Sequence, residues 1–280
     1  MNKLKQILLE RQVTAPFVTD GLQAIMAKAA GFEAVYASGF GAASTLGMPD
    51  VGLLTLTQMT EKIRVITAAC DIPVIADADT GYGNYINAYQ TVKQYESAGA
   101  AALHFEDQVW PKRCGYMAGK EVIAKSEAVA KIKAAVDARI DPDFLIIART
   151  DALAIGGWDE AEDRIRSYMT AGADMAFVDG IQNLEDIQNY TKRLADIPLL
   201  FNNVPMIPMK KLTALAPNFR LLLNPFAMAT AWQAYEAALI RLKDDNLPDA
   251  SELDREAFKK IITILGAPKY FAMDQRYSTE

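Results

Sequence analysis

The sequence predicts a parallel α/β fold, a closed (β/α)8 TIM barrel with extra helices at its C-terminal end. Eight short, nearly continuous apolar runs recur along the 280 residues, each followed by a polar or small residue. Parallel strands buried on both faces have this character. Longer stretches with helical spacing lie between them, among them LTQMTEKIRVITAAC, YINAYQTVKQYESAG and DEAEDRIRSYMTAG, and such strand–helix alternation marks a parallel sheet. A local repeat supports it: AGFEAVY, AGAAALHF and AGADMAFV each close a helix on Gly and enter a strand at once. Gly just past a helix end adopts the left-handed conformation at little cost. The alternative, a doubly wound open sheet, is weakened by the lack of a GxGxxG turn.

Taken in order, the strands end on reactive groups. Strand one is PFVTD. Strand two, EAVYASG, ends on Tyr36, Ser38 and Gly39, and strand three, IPVIADAD, on Asp77 and Asp79. Strand four, AALHFED, carries His104 mid-run and ends on Glu106 and Asp107; strand five, DFLIIARTD, ends on Arg149 and Asp151. Strand six, MAFVDG, ends on Asp179, strand seven, IPLLFNN, on Asn202 and Asn203, and strand eight is FRLLLNP. In a barrel, chemistry belongs at these C-terminal strand ends. Residues 1–245 are expected to form the catalytic barrel. The helical remainder, 246–280, containing SELDREAFKKIITIL, is expected to pack on the barrel or on a neighbouring subunit.

Composition narrows the functional classes. An apolar share of 51% with 23% charged residues fits a packed domain. The 29 basic and 35 acidic residues leave a formal net charge of −6, which argues against a nucleic-acid partner. No apolar run approaches the ~20 residues of a membrane span, and MNKLKQILLERQ has no signal-peptide apolar block. With only Cys70 and Cys114 there is no disulfide scaffold, and a cytoplasmic location is expected.

Two residues apart on a strand, Asp77 and Asp79 would point to one side, where paired carboxylates repel unless a proton or cation lies between them. With Glu106 on the next strand they form an all-oxygen set suited to Mg²⁺, or Mn²⁺. Helix capping is the simpler reading for one Asp, but not for three acids on adjoining strands. Gly81 and Gly83 in DTGYGN give room beside that set. His104 is expected to be a packed, satisfied ring, and Cys70 a small buried apolar residue. Cys114 differs: EDQVWPKRCGYMAGK sets it in a polar loop among Lys112, Arg113 and Lys120, and nearby cations favour a reactive thiol. Gly115 and Gly119 suit a lid that closes over substrate.

The segments YASGFGAASTLGMPD, ADADTGYG, AALHFEDQ, KRCG and ARTDALA resemble the isocitrate lyase/phosphoenolpyruvate mutase superfamily, especially its methylisocitrate lyase and 2,3-dimethylmalate lyase branch. They run in the right order from about residue 15 to 240. The resemblance implies a barrel whose last helix is exchanged between subunits, giving dimers or tetramers. It implies Mg²⁺ held by Asp77 and Asp79, with Asp50 and Glu106 acting through water. It places Ser38, Gly39 and Phe40 in a substrate-carboxylate loop, with Gly115, Arg149, Asp179 and Asn202 as further substrate contacts.

Three departures from that pattern stand out. Tyr116 follows Gly115 where the lyases carry His, Asp179 stands where Glu is usual, and NPFAMATAW places Thr230 near the arginine that would hold a third carboxylate. An unpaired buried charge is costly, so a dicarboxylate is expected, with alkyl groups meeting Phe40, Met228 or Trp232. The implied reaction is a Mg²⁺-dependent carbon–carbon cleavage of an alkylmalate-type 2-hydroxy dicarboxylate. Tyr36 or an activated water would be its base, Arg113 would stabilise the developing charge and Cys114 would be the acid. Methylisocitrate cleavage, oxaloacetate hydrolysis, phosphonate chemistry (a mutase or phosphonopyruvate hydrolase) and a non-catalytic dicarboxylate sensor are the alternatives.

Overall fold

The structure is a computed structural model and describes residues 3–115, 117–216, 218–244 and 255–278. All eight apolar runs are strands: β1 Val13–Val18, β2 Val35–Ala37, β3 Val74–Asp77, β4 Ala102–Glu106, β5 Leu145–Thr150, β6 Met175–Val178, β7 Leu199–Asn202 and β8 Phe219–Asn224. They pair in parallel in sequence order, and β8 returns to β1 with Val13 opposite Leu221, closing the barrel. Before and between the strands run α1 Lys3–Glu10, α2 Gly21–Ala29, α3 Gly39–Thr45, α4 Leu56–Ala69, α5 Tyr85–Ser97, α6 Lys125–Ala138, α7 Leu153–Thr170, α8 Leu184–Arg193 and α9 Met209–Leu215. After β8 come α10 Phe226–Lys243, α11 Arg255–Ile264 and α12 Ala267–Tyr277.

The Gly repeat has one physical cause. After α2, α5 and α7 the chain turns at Gly31, Gly99 and Gly172, with φ of 91°, 90° and 106°. In each turn the next amide (Phe32, Ala100, Ala173) donates back to a carbonyl of the last helical turn (Ala27, Tyr95, Tyr168) at 3.0–3.2 Å. This closure satisfies carbonyls that the helix leaves open.

Two apolar cores follow from strands buried on both faces. One fills the barrel with Ala15, Ile75, Ile147, Met175, Leu200 and Leu223, and α1 seats Leu4, Ile7 and Leu8 in the same cluster. The other packs strands against helices through Val74, Val92, Tyr95, Ile146, Tyr168, Tyr190 and Phe201. Cys70 departs from expectation: it is half-buried at the C-terminal end of α4. The division at 245/246 lies outside the described residues, as does Tyr116. α10 buries only Met228, and none of the residues described in α12 is buried. Tyr235, Leu239, Phe258, Ile262 and Phe271 stand exposed. Among the described residues no helix is long and apolar enough to cross a membrane.

Candidate active site

A cavity of about 880 Å³ opens at the C-terminal ends of the strands, and the first turns of α10 form part of its wall. Of the residues singled out in the sequence, Tyr36, Ser38, Phe40, Asp50, Asp77, Cys114, Gly115, Arg149, Asp179 and Asn202 line it.

At the end of β3, Asp77 is a hub. Its Oδ2 accepts from the Gly39 amide and the Tyr36 hydroxyl, both at 3.0 Å, and its Oδ1 accepts from the Asp79 amide at 3.0 Å. Burial pushes this carboxyl up, but charge from His104, Lys112 and Arg149 outweighs it and holds Asp77 at about 2. Burial also pushes His104 down to about 4, so the ring is neutral at pH 7 and the two basic side chains supply the stabilisation there. Gly39 has to be glycine: a Cβ would stand 2.8 Å from Asp77 Oδ2 and 3.2 Å from Asp79 Oδ1. The two carboxylates therefore converge on one place, though not by strand alternation. β3 ends at Asp77, and Asp79 reaches the site through a left-handed backbone, φ 46°.

Asp79 is 1% exposed, and its Oδ2 is buried without a hydrogen-bond partner. Burial and the charges of Asp77 and Asp50 push its carboxyl up to about 7 against the pull of Lys112. Among the described residues, no three acidic, His or Cys side chains gather around one point in the manner of a metal site. Instead Lys112 enters the acidic group, ion-paired with Asp50 and 3.0 Å from Asp79 Oδ1, with 4% of its side chain exposed. Burial would lower this ammonium, but Asp79, Glu106, Asp77 and Asp50 together raise it. Glu106 accepts from Gln108 at 2.8 Å and pairs with Arg149 at 3.0 Å.

A second network lies on β5 and β6. Arg149 grips Asp151 through two nitrogens at 2.9 and 3.0 Å, reaches Asp179 at 3.2 Å, and stacks 5.1 Å above the Phe177 ring. Lys120 donates to Asp151 at 2.6 Å and to Asp179 at 2.8 Å. Asp179 is thus committed to two cations. Gly115 fits beside it because a Cβ there would lie 2.8 Å from Asp179 Oδ2. Across the cavity, Asn202 Oδ1 is buried without a partner, and the Phe40 and Trp232 rings lie 5.7 Å apart.

Three expectations change. Arg113 does not line the cavity; its guanidinium donates to Ala118 O at 2.7 Å, and Lys112 is the loop's cation at the acids. Tyr36 is buried, burial plus the adjacent Asp77 charge raise its hydroxyl well above the usual phenol value, and it donates to Asp77 Oδ2 at 3.0 Å. His104 is half satisfied: Nε2 lies 2.8 Å from Tyr36 Oη, while Nδ1 has no partner. The sequence reading treated Lys112 and Lys120 only as cations near a thiol. The strand-end acids facing them were the signal for more.

The family model described as phosphoenolpyruvate phosphomutase matches residues 4–243. The chain belongs to this family. The 2,3-dimethylmalate lyase of Eubacterium barkeri is 38% identical, across 99% of this chain and 98% of that protein. The 2-methylisocitrate lyase of Salmonella typhimurium is 48% identical, but over 64% of this chain and 61% of its own length. Among solved structures, oxaloacetate acetylhydrolase bound to 3,3-difluorooxalacetate superposes with a TM-score of 0.90 at 33% identity, covering 99% of this chain and 97% of that one. Phosphonopyruvate hydrolase, solved with oxalate and Mg²⁺, does so at 0.86 and 30% identity, with 99% of each chain covered.

Proposed function

We propose that this protein is a divalent-cation-dependent carbon–carbon lyase that splits an alkylmalate-type 2-hydroxy dicarboxylate, such as 2,3-dimethylmalate, into an α-keto acid and a second carboxylic acid. The observation that carries it is one cavity lined by the carboxylates of Asp50 and Asp77 and by the loop thiol Cys114, with buried Asp79 directly behind Asp77. A likeness to a 2,3-dimethylmalate lyase over the whole chain supports it.

The donor set fits Mg²⁺. It is all carboxylate, and Asp79 Oδ2 is buried without a partner, as expected where a hard cation supplies the missing one. Asp77 and Asp79 would hold the ion, with Asp50 and Glu106 reaching it through water; when bound, it would acidify a hydroxyl and bind a carboxylate. The rest falls to the chain. Arg149 and the Asn202 amide orient the carboxylates, while Tyr36 and the Gly39 amide hold Asp77 in place. Once the 2-hydroxyl has passed its proton to a water in the cavity acting as base, the C2 oxygen forms the ketone and the C2–C3 electron pair moves to C3. Cys114 then gives its proton to C3, general-acid work worth about 10²–10⁴-fold.

A dicarboxylate fits better than a tricarboxylate. The cations lining the cavity are Lys112 and Arg149, both already ion-paired, and the wall beyond β8 is Pro225, Met228, Ala229 and Trp232. A third carboxylate would be buried without a counter-charge. The exposed apolar residues of α10–α12 support assembly into a homo-oligomer, with helix exchange as one way to cover them.

The test is a Mg²⁺-supplemented panel of malate, 2,3-dimethylmalate, methylisocitrate, oxaloacetate and phosphonopyruvate, read by product release. Keto-acid release from the alkylmalate is the expected outcome. Dominant cleavage of methylisocitrate, oxaloacetate or phosphonopyruvate would replace this reading, and cation-dependent binding without turnover would make the protein a sensor.

A further inference from the structure

The loop after β4 delivers a cation, Lys112, into the acidic group. Arg149 serves Glu106, Asp151 and Asp179, which leaves Lys112 as the basic side chain at Asp50 and Asp79. Lys112 does not complete the site: it meets Asp79 Oδ1, while Asp79 Oδ2 remains buried without a partner. The left-handed backbone at Asp79 holds this side chain in place, an arrangement that L residues adopt only under constraint from their surroundings.

A divalent cation bound by carboxylates sits about 2.0–2.1 Å from each oxygen in the Mg²⁺ case. An ammonium 3.0 Å from Asp79 Oδ1 would then be only a few ångströms from it, two like charges in a poorly solvated place. We propose that Lys112 is an internal counter-ion occupying the divalent cation's carboxylates, so that in the substrate-free protein cation binding and docking of this loop oppose each other. The proposal rests on the divalent-cation reading above. A dicarboxylate substrate relieves the conflict by adding negative charge beside both cations. Cys114 lies two residues from Lys112, so the thiol would be stably docked together with the cation only when substrate is present. By linkage the opposition is reciprocal: whatever weakens Lys112 docking tightens the cation.

The test uses the whole protein and Mn²⁺ as the probe, with binding followed by calorimetry on the wild type, Lys112→Met and Lys112→Arg. Lys112→Met should bind Mn²⁺ about tenfold or more tighter than wild type, and Lys112→Arg close to wild type, as expected for removing or keeping a like charge. On the wild type alone, hydrogen exchange of the amides from Gln108 to Cys114 should speed up when Mn²⁺ is added and slow again when oxalate follows. Equal Mn²⁺ affinity in wild type and Lys112→Met, or wild-type exchange indifferent to Mn²⁺, would overturn the proposal and leave the cation reading standing. An absence of Mn²⁺ binding in all three proteins would overturn both.

Discussion

Replacing Lys120 with Met removes one charge from a nearly buried ion-pair network in the site while keeping most of the length of the side chain. Lys120 is 5% exposed, and its partners Asp151 and Asp179 are 0% and 12% exposed. Removing one partner of a buried pair costs ~3–5 kcal/mol because the other charge is stranded. Here Arg149 still holds both carboxylates, so the low end applies, ~3 kcal/mol. Unfolding entropy of ~2.1 cal/mol/K per residue, taken over the 280 residues, converts this to a drop in Tm of about 5 °C. Scanning calorimetry would read it, with Lys259→Met as the control. Lys259 pairs with Glu256 at 70% and 75% exposure, and such surface pairs contribute under ~1 kcal/mol. A shift below about 1 °C for Lys120→Met would refute the view that this lysine anchors the loop to β5 and β6.

Further outcomes follow from the same geometry. Cys114→Ala should lower kcat on the cleaved substrate by ~10²-fold or more with little change in KM; steady-state rates retaining wild-type kcat would remove the thiol from the chemistry. Burial raises the Asp151 carboxyl, but Arg149 and Lys120 more than reverse this and hold it at about 2, below its ordinary 3.8. A depressed acid contributes stability above its unfolded pKa and loses it as pH falls through the folded value, here between about pH 4 and 2, a contribution of ~2 kcal/mol. Urea midpoints in that window should therefore fall more steeply for the wild type than for Asp151→Asn, and parallel curves would count against this assignment. Dialysis against a chelator should abolish turnover and Mg²⁺ or Mn²⁺ should restore it; an unchanged rate in the chelated protein would contradict the cation's role.

How much of this was legible in the sequence depended on whether a period governed the residue. Strands buried on both faces and helices closed by Gly have local causes, so the barrel and the residues at its strand ends could be read directly. Asp77 and Asp79 were rightly paired, but for a reason that only partly holds. Asp79 lies beyond β3, and its direction comes from its positive φ. Tyr36 was a plausible base until the hydrogen bond to Asp77 and its burial were visible, and both depend on two strands brought side by side. The loop was hardest. In KRCG no period says which of Lys112 and Arg113 turns inward. The buried Asp50 and Asp79 decide for Lys112, while Arg113 folds back on Ala118.

The most direct measurement is anomalous scattering from a crystal grown with Mn²⁺ and oxalate. The expected result is one strong peak between the carboxylates of Asp77 and Asp79, in contact with the oxalate, with Cys114 Sγ facing the same ligand. A peak away from these two aspartates, or oxalate bound with both turned from it, would contradict the account.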